Sequence, residues 1–301
     1  MISLQITKKN DLRQPPDLRG VLISLFPAVF IIVVFFFGGL FYGVLQSMGY
    51  LPSAGMTDIH LTHFINVLSD PDFFESLRLT FYVSGVSTAI AAFFGFIMAL
   101  MLSRVNSRFI HFVFQLPLIV PHLVIAVAAI FLLTPTGFIS RVLMKTGIIA
   151  SSSDFPLLVN DEWCIGIIFV YIWKEIPFIT LMILTALKKG VGELEMVGKT
   201  LKANRFQRLR FIIFPIVFPS MAAACLIVFA FTFGAFEVPF LLGRTYPLTL
   251  PVLAYKYFSD VDLLSRPEGI ATGVVIAFVV IFSAVISHWL LLMRTGKGRG
   301  R

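Results

Sequence analysis

The stretch ELEMVGKTLKANRFQRLRFIIFPIVFP, residues 193–219, changes its chemical character twice along its length. It begins acidic, becomes strongly basic, and then continues without a break into an apolar run that contains Pro215 and Pro219. An apolar run entered from a cluster of lysines and arginines is typical of a membrane-spanning helix that begins at a charged membrane surface. The stretch therefore indicates a membrane protein, and it raises the question of what the basic cluster does.

The composition of the chain places it in a lipid bilayer. Hydrophobic residues make up 58% of its 301 residues, only 13% are charged, and the mean hydropathy is +0.92. Soluble domains carry roughly 25% charged residues. A chain of this length has room for five to eight spans of about 20 residues each. The composition therefore predicts a membrane protein with several spans and excludes an ordinary soluble domain.

Six apolar runs are long enough to cross a bilayer. Unalternating runs of this length fit helices and do not fit barrel strands of about ten residues. The first run follows the mainly polar residues 1–20 and lacks a small-residue cleavage site, so we predict a retained helix and not a signal peptide. The predicted fold class is therefore all-α, with six transmembrane helices. The predicted spans are 21–46, 77–103, 109–134, 163–187, 211–242 and 269–293.

The distribution of lysine and arginine predicts the orientation of these helices. Seventeen of these residues lie in the two termini and in the connections 104–108 and 188–210, and only five lie in the connections on the opposite side. The positive-inside rule places the side rich in lysine and arginine in the cytoplasm. Both termini are therefore predicted to be cytoplasmic. Topology also explains most of the net charge of +8, which argues against nucleic-acid binding.

No catalytic motif occurs in the sequence. It contains no GxxxxGK[ST] phosphate loop, no GxSxG or HExxH motif and no paired carboxylate site. Cys164 and Cys225 are predicted to be small buried hydrophobic residues, and the five histidines show no metal-ligand spacing. The chain is therefore predicted not to be an enzyme and to bind no metal. If it moves a solute uphill, another chain supplies the energy.

The basic connection before the fifth span is predicted to form a short helix along the membrane surface. Gly190 and Gly192 provide a flexible exit from the fourth span, and Glu193 and Glu195 fall in the first helical turn, where the helix dipole favours anions. Asn204 is predicted to end this helix. Apolar residues at spacings of three and four form a ridge beside a basic face. The apolar ridge comprises Leu194, Val197 and Leu201, and the basic face comprises Lys199, Lys202, Arg205 and Arg208.

Two interpretations of this connection remain open from its residues alone: a docking surface for an energy-supplying partner, or a basic loop that contacts anionic lipid. A family resemblance favours the first. The segment resembles the EAA coupling loop of permease subunits of ABC importers with the type I (MetI-like) fold, whose pattern is approximately EAAxxxGAxxxxxFxxVxLP. With residues 214–215 at the final LP, the family's glycine falls on Lys202 and its E-A-A on residues 196–198.

Four further stretches resemble the same family more specifically. PLIVPHLVIAVA (117–128) and WKEIPF (173–178) are similar to its P-x-x-x-P-x-x-V and W-x-x-x-PF segments. FTFGAFEVPFLLG (231–243) and YPLTLPVLAYKYF (246–258) are similar to permeases of the spermidine/putrescine, ferric iron and sulfate or phosphonate branch. The resemblance covers residues 76–294. It implies that the chain is a permease subunit of a binding-protein-dependent ABC importer.

The resemblance also implies a domain organisation and a set of partners. Residues 1–20 form a cytoplasmic tail, 21–294 a six-helix permease domain with a MetI-like core at about 76–294 and a coupling loop at 188–211, and 295–301 a basic tail. The implied partners are a dimer of ABC ATPases, an extracytoplasmic solute-binding protein and a second permease, with a homologous heterodimer favoured over a homodimer. The chain itself carries no cofactor, because ATP and Mg belong to the ATPase. The implied location is the bacterial or archaeal plasma (inner) membrane.

Roles within the coupling loop follow from the same resemblance. The residues expected to dock on the ATPase are Glu193, Glu195, Val197, Lys199, Leu201, Lys202, Asn204 and Arg205. Arg208 and Arg210 are expected to lie near lipid headgroups instead.

Polar residues within the spans are the candidates for a translocation pathway. Lys174 and Glu175 lie in the fourth span and Glu237 lies near the outer part of the fifth, and charges at such depth face protein or water and find partners. One interpretation is a solute path lined by Glu175, Glu237 and Pro239; the other is a structural pair between Lys174 and a carboxylate. Prolines are expected to loosen the spans, as gating requires. They are Pro117, Pro121, Pro177 and Pro239.

The outer connection 47–75 contains four acidic residues and no lysine or arginine. A binding protein is expected to dock there, with Phe73, Phe74 or Arg266 taking part, and a solvated acidic loop is the alternative. The solute expected from the family branch is small and charged, with a polyamine favoured. The alternative function is an ion-coupled secondary transporter or channel, which predicts internal repeats and buried ionisable relays. Neither is evident in the sequence.

Overall fold

The computed structural model describes residues 18–296. Within this range six helical segments are long and apolar enough to cross a membrane, and the extended pairing is limited to an isolated bridge between Leu51 and Met56. The prediction of an all-α fold with six spanning segments is therefore confirmed. The segments are Ile23–Ser47, Pro71–Leu102, His122–Lys145, Ile165–Lys188, Arg205–Gly234 and Leu263–Ser287. Residues 1–17 and 297–301 of the predicted tails lie outside the described residues.

Seven helices precede the fourth span in the described part of the chain. They are α1 (Leu18–Ile31), α2 (Gly38–Ser47), α3 (Thr62–Ser69), α4 (Pro71–Leu102), α5 (Arg108–Ile119), α6 (His122–Leu133) and α7 (Phe138–Lys145). Asp70 is the N-cap residue of α4, because its side chain accepts a hydrogen bond from the Asp72 amide at 2.9 Å. Pro71 then occupies the first turn of the helix. The predicted outer connection 47–75 therefore contains α3 and the beginning of α4.

The fourth span opens the second half of the fold. Its helices are α8 (Ile165–Gly190), α9 (Gly192–Thr200), α10 (Arg205–Arg208), α11 (Phe214–Gly234), α12 (Glu237–Leu242), α13 (Leu250–Phe258) and α14 (Arg266–Gly296). A π-helical turn, Leu209–Ile213, leads from α10 into α11. The predicted fifth span, 211–242, is divided, because α11 ends at Gly234 and Ala235 is extended, with φ −74° and ψ 134°.

Helices α4, α8 and α11 form the centre of the fold. Gly95 of α4 lies against α8 so closely that a β-carbon there would be 3.0 Å from Cγ2 of Ile179. Thr180 donates a hydrogen bond to the carbonyl oxygen of Gly95 at 3.1 Å. Small residues permit this approach, which dispersion and interhelical hydrogen bonds stabilise in a membrane. The small residues that α4 buries are Ser76, Thr80, Ser84, Ser87, Thr88, Ala91, Gly95 and Ala99.

The prediction that residues 109–134 form one continuous spanning helix is wrong. It consists of α5 and α6, separated by Val120 and Pro121, which are both extended, with ψ of 128° and 145°. Proline has no amide hydrogen and disfavours a helical conformation in the residue before it. The break at Pro121 therefore has a local cause, and the segment long enough to span combines α6 with α7.

The first span is attached to the rest of the fold along its second half. Helix α2 packs against α14, whereas large apolar side chains such as Ile23, Phe35 and Phe41 are exposed along its length. Apolar surface of this kind suits hydrocarbon or another membrane helix.

Candidate functional site

The connection between α8 and α11, residues 191–213, begins with α9. Glu193 and Glu195 lie in the first turn of this helix and Lys199 lies in its last turn, an arrangement that complements the helix dipole. The ammonium of Lys199 is 3.7 Å from Oε1 of Glu195. The structure thus contains the short helix predicted here, but the helix ends at Thr200 and not at Asn204.

A tight turn joins α9 to α10. Lys202 has a φ of 57°, in the left-handed region that favours glycine, and the amide of Ala203 donates to the carbonyl of Gly198 at 2.9 Å. The family resemblance aligns its glycine with Lys202, so the backbone has the conformation that the family residue favours. Asn204 and Gln207 then form a reciprocal capping box, with both hydrogen bonds at 2.8 Å. Asn204 therefore starts α10 instead of ending α9.

Arg208 fastens α9 to the turn that follows it. Its Nη1 donates to the carbonyl of Ala203 at 2.6 Å, and its Nε lies 3.6 Å from Oε1 of Glu195. The Arg208 side chain is only 16% exposed, so its guanidinium contacts protein, and a position at the depth of the lipid headgroups stays a prediction. Gly198 is buried beside it, where a β-carbon would be 2.7 Å from Cδ1 of Ile212. Glycine therefore lets α9 lie directly on the π-helical turn.

The apolar ridge of the connection is exposed. Leu201 is 76% exposed, and the two other ridge residues, Leu194 and Val197, are also exposed. Met196 and Phe206, which were not predicted to belong to the ridge, are exposed apolar residues of the same connection. Exposed apolar patches on otherwise polar surfaces mark interaction sites. The cations beside the patch, Lys199, Lys202 and Arg205, are exposed as well.

A second group of predicted residues lies in the membrane, where Lys174 of α8 faces the break between α5 and α6. Its Nζ donates to the carbonyl of Pro117 at 3.1 Å and also to that of Val120. The carbonyl of Pro117 would accept from residue 121 in an unbroken helix, but Pro121 has no amide hydrogen. The structural pair predicted between Lys174 and a carboxylate is therefore wrong, since the hydrogen bonds of Lys174 go to carbonyl oxygens.

Glu175 pairs with His122, a histidine that was not predicted to have a functional role. Oε1 of Glu175 lies 3.3 Å from Nε2 of His122, the first residue of α6. The imidazole packs on Phe231 of α11, with ring centroids 4.5 Å apart. Together with Lys174 these side chains border a cleft of about 260 Å³ between α6, α8 and α11. An intramembrane carboxylate beside such a cleft indicates a functional site.

The other pathway candidates lie in α12, which packs against α6 and α8. Glu237 is exposed in the first turn of α12, and Pro239 is buried in that helix. Tyr171, one turn before Glu175, is completely buried, and its hydroxyl has no hydrogen-bond partner among the described residues. Tyr171 is therefore a buried phenol on the same helix as Glu175.

On the predicted outer surface, Phe73 does not have the expected role. It is 1% exposed and belongs to a core cluster with Phe233, whereas Phe74 is exposed. Asp70 accepts a hydrogen bond from the hydroxyl of Tyr257, and burial, together with this hydrogen bond, raises the pKa of Tyr257. Asp70 is therefore part of the structure that joins α4 to α13.

Helix α3 is tied to the start of α14 at the same surface. Nδ1 of His63 lies 3.9 Å from Oε1 of Glu268, and Asn66 donates to the same oxygen at 2.9 Å. The His63 ring also packs on His60, with centroids 5.0 Å apart. Burial lowers the pKa of His63, and the charge of His60 acts in the same direction.

The sequence carries signals for some of the residues that were missed. His122 follows Pro121 directly, so it begins a helix at the depth of Glu175. The pairing of Arg208 with Glu195 has no local pattern, because it depends on the reversal of the chain at Lys202.

Six spanning segments, a broken span held by a buried lysine, and an exposed connection of short helices define a multi-pass transport subunit. Residues 91–294 match the family described as the binding-protein-dependent transport system inner membrane component. The match covers well over half of the chain, which therefore belongs to this family, with the MetI-like fold. The chain is accordingly a permease subunit of an ABC importer and is not an enzyme. This membership decides against the alternative of an ion-coupled transporter or channel.

Individual relatives agree with the family assignment. The chain is 28% identical over 242 residues to the molybdate/tungstate transport system permease protein WtpB of Methanocaldococcus jannaschii, which covers 79% of this chain and 87% of that protein. It is 27% identical over 208 residues to the spermidine/putrescine transport system permease protein PotB of Haemophilus influenzae, covering 68% and 69%. The fold is similar to a chain of a bacterial ABC transporter involved in the import of the acidic polysaccharide alginate, with a TM-score of 0.73, 20% identity, and coverage of 90% and 95%.

Proposed function

We propose that this permease forms half of a translocation pathway for a small charged solute, with a polyamine favoured, and that it receives energy through residues 193–205. The proposed partners are a cytoplasmic ATPase dimer, a homologous second permease and an extracytoplasmic solute-binding protein. Both termini and the α8–α11 connection face the cytoplasm of a bacterial or archaeal cell, in keeping with the distribution of lysine and arginine. In a related alginate transporter the complex includes a periplasmic protein bound to an alginate pentasaccharide, which supports the last of these partners.

The exposed apolar ridge beside lysines and an arginine is the observation that carries the coupling role. Leu201 is 76% exposed at the end of α9, and Lys202 presents its side chain from a fixed left-handed turn. The Arg208 contacts with Glu195 and Ala203 hold α9 against α10, which continues through the π-helical turn into α11. A push on α9 would therefore reach α11 as a rigid-body movement, which is the kind of transition that gates packed helices.

The coupling role is tested with the complete complex, purified in detergent together with its binding protein. We expect Leu201→Asp combined with Lys202→Glu to release the ATPase, or to leave ATP hydrolysis insensitive to the loaded binding protein. The matched control is Val261→Asp with Lys256→Glu, which makes the same changes at exposed residues far along the chain. If the first double variant retains the ATPase and the loaded binding protein still stimulates ATP hydrolysis, residues 193–205 do not carry the coupling role.

A cationic solute is supported by two carboxylates, Glu175 and Glu237, that we propose line the pathway. Glu175 borders a cleft that also contains the Phe231 ring, and Glu237 is exposed at the start of α12. Carboxylates and aromatic faces both attract ammonium groups. One named relative belongs to a transport system for molybdate and tungstate, and another to a system for spermidine and putrescine. The class of solute is therefore tested separately from the coupling role of residues 193–205.

Solute class is tested by the ATPase activity of the reconstituted complex with its own binding protein. We expect spermidine to stimulate hydrolysis and molybdate to have no effect. Glu237→Gln should lower polyamine uptake by about tenfold, equivalent to about 1.4 kcal/mol of lost attraction. Glu162→Gln, at an exposed residue, is the matched control. Stimulation by molybdate alone would reject the polyamine and leave the coupling proposal intact.

A further inference from the structure

A second cleft lies between the ends of α4, α5 and α8, apart from both regions described above. Its volume is about 730 Å³, and its lining includes no residue of α9 and neither Lys174 nor Glu175. The cleft opens at the end of the spans where lysine and arginine are concentrated. It is therefore a distinct feature of the permease surface.

The polar side of this cleft is basic. Arg108 and Lys188 line it, together with the neutral donors Gln115 and Thr185, and none of the described residues in the lining is acidic. Arg108 is also the first residue of α5, so the positive end of that helix dipole adds to the local field. His111 is held in place by a 2.9 Å hydrogen bond between its Nε2 and the carbonyl of Val105. These groups together suit an anion with several oxygen acceptors.

The other side of the cleft is apolar. Its apolar lining includes Phe112 of α5 and Leu181 and Leu184 of α8. Cations beside an apolar wall at the end of membrane helices match a lipid with a charged headgroup, and basic pockets between spanning helices bind anionic headgroups. The mixed lining also admits a free phosphate compound at its basic side.

We propose that this cleft binds a phosphate-bearing anion between Arg108 and Lys188. The two sources of that chemistry are the headgroup of an anionic phospholipid, with an acyl chain along Phe112 and Leu181, and free phosphate. This proposal does not depend on the proposed coupling role or on the proposed solute, because anion binding is measured directly on the permease without transport.

Binding is measured on the purified full-length permease. Retention of phosphatidylglycerol is quantified by native mass spectrometry during titration into delipidated protein, and inorganic phosphate is measured by equilibrium dialysis in phosphatidylcholine nanodiscs. We expect Arg108→Gln with Lys188→Gln to weaken phosphatidylglycerol binding by about 30-fold, since each cation near an anionic surface contributes several-fold. Thr185→Trp, which fills the cleft and leaves its charge unchanged, should weaken binding to a similar degree.

The control variant is Arg104→Gln with Lys256→Gln, which removes the same charge from exposed residues outside the cleft. Loss of phosphatidylglycerol binding in the two cleft variants alone identifies a lipid site. Binding of inorganic phosphate that disappears in those variants, with no selective binding of phosphatidylglycerol, identifies a free-phosphate site. Equal binding by wild type and both cleft variants, or an equal loss in the control, would overturn the proposal.

Discussion

The ammonium group of Lys174 lies 3.1 Å from the carbonyl oxygen of Pro117. That oxygen has no helical partner, because the residue four positions later is Pro121, which lacks an amide hydrogen. A lysine from α8 therefore replaces the missing donor of a neighbouring broken helix. The same ammonium donates to the carbonyl of Val120, so the break is held open by a charge that would otherwise be expensive to bury.

Substitution of Lys174 should destabilise the permease through these carbonyl groups. Lys174→Met leaves buried acceptors unsatisfied, and we expect a loss of about 1–3 kcal/mol, seen as a lower melting temperature in detergent. In a Pro121→Ala background residue 121 can donate to Pro117, so the same substitution should cost less.

The control for this double-mutant cycle is Lys256→Met, at an exposed lysine of α13, which should change stability little. An equal loss from Lys174→Met in the wild-type and Pro121→Ala backgrounds would show that Lys174 does not act through the break.

The global fold could be predicted because the length of an apolar run in the sequence is enough to identify a spanning helix. The number of spans and the short helix after residue 191 follow from composition and local helix signals. The break at Pro121 was also available from the sequence, since proline and the residue before it disfavour helix. It was missed because the apolar run 109–134 continues through it.

The candidate site was harder to predict because its pairs are distant in the chain. Glu175 was singled out by its depth, but its partner His122 comes from another helix and has no sequence spacing that identifies it. Lys174 was expected to find a carboxylate, since charges in membranes usually pair. The carbonyls that Lys174 binds lack helical partners only because the helix breaks at Pro121. The identity of its hydrogen-bond partners therefore depends on how α8 packs against that break.

The left-handed residue of the coupling turn gives a prediction of stabilisation. Lys202 has a φ of 57°, which costs a residue with a side chain about 1–2 kcal/mol. Lys202→Gly should therefore raise the free energy of local unfolding by about 1 kcal/mol, measured as slower amide hydrogen exchange in residues 198–204. Lys199→Gly is the matched substitution in the adjacent helix α9, where glycine should cost about 1 kcal/mol. Changes of the same sign in both variants would contradict the assigned turn.

Arg208 is expected to contribute to the coupling of ATP hydrolysis to solute uptake, whereas Arg210 is not expected to contribute. Arg208 contacts Glu195 and Ala203, whereas Arg210 is exposed above the Phe211 ring. Arg208→Gln should lower solute uptake per ATP hydrolysed by about tenfold, within the range of about 0.5–2 kcal/mol for residues that transmit coupling. Arg210→Gln removes the same charge and should leave the ratio within about twofold of wild type. An unchanged ratio in Arg208→Gln would mean that α9 transmits movement without this contact.

The contact between His63 and Glu268 predicts a dependence of stability on pH. Burial and the charge of His60 lower the pKa of His63, while Glu268 acts in the opposite direction. The unfolded chain therefore binds a proton at His63 more readily than the folded chain does. Stability from this residue is present above the unfolded pKa of about 6.5 and is lost as the pH falls from there towards the lower folded pKa.

Melting temperatures measured between about pH 7.5 and pH 5 test this sign, because the unfolded pKa of a histidine, about 6.5, lies within this range. We expect wild type to lose thermal stability through this range and His63→Gln to lose less, since glutamine does not titrate. His60→Gln should reduce the slope in part, as it removes the charge that disfavours protonation of His63. A slope that is unchanged in His63→Gln would assign the acid sensitivity to groups outside the contact between α3 and α14.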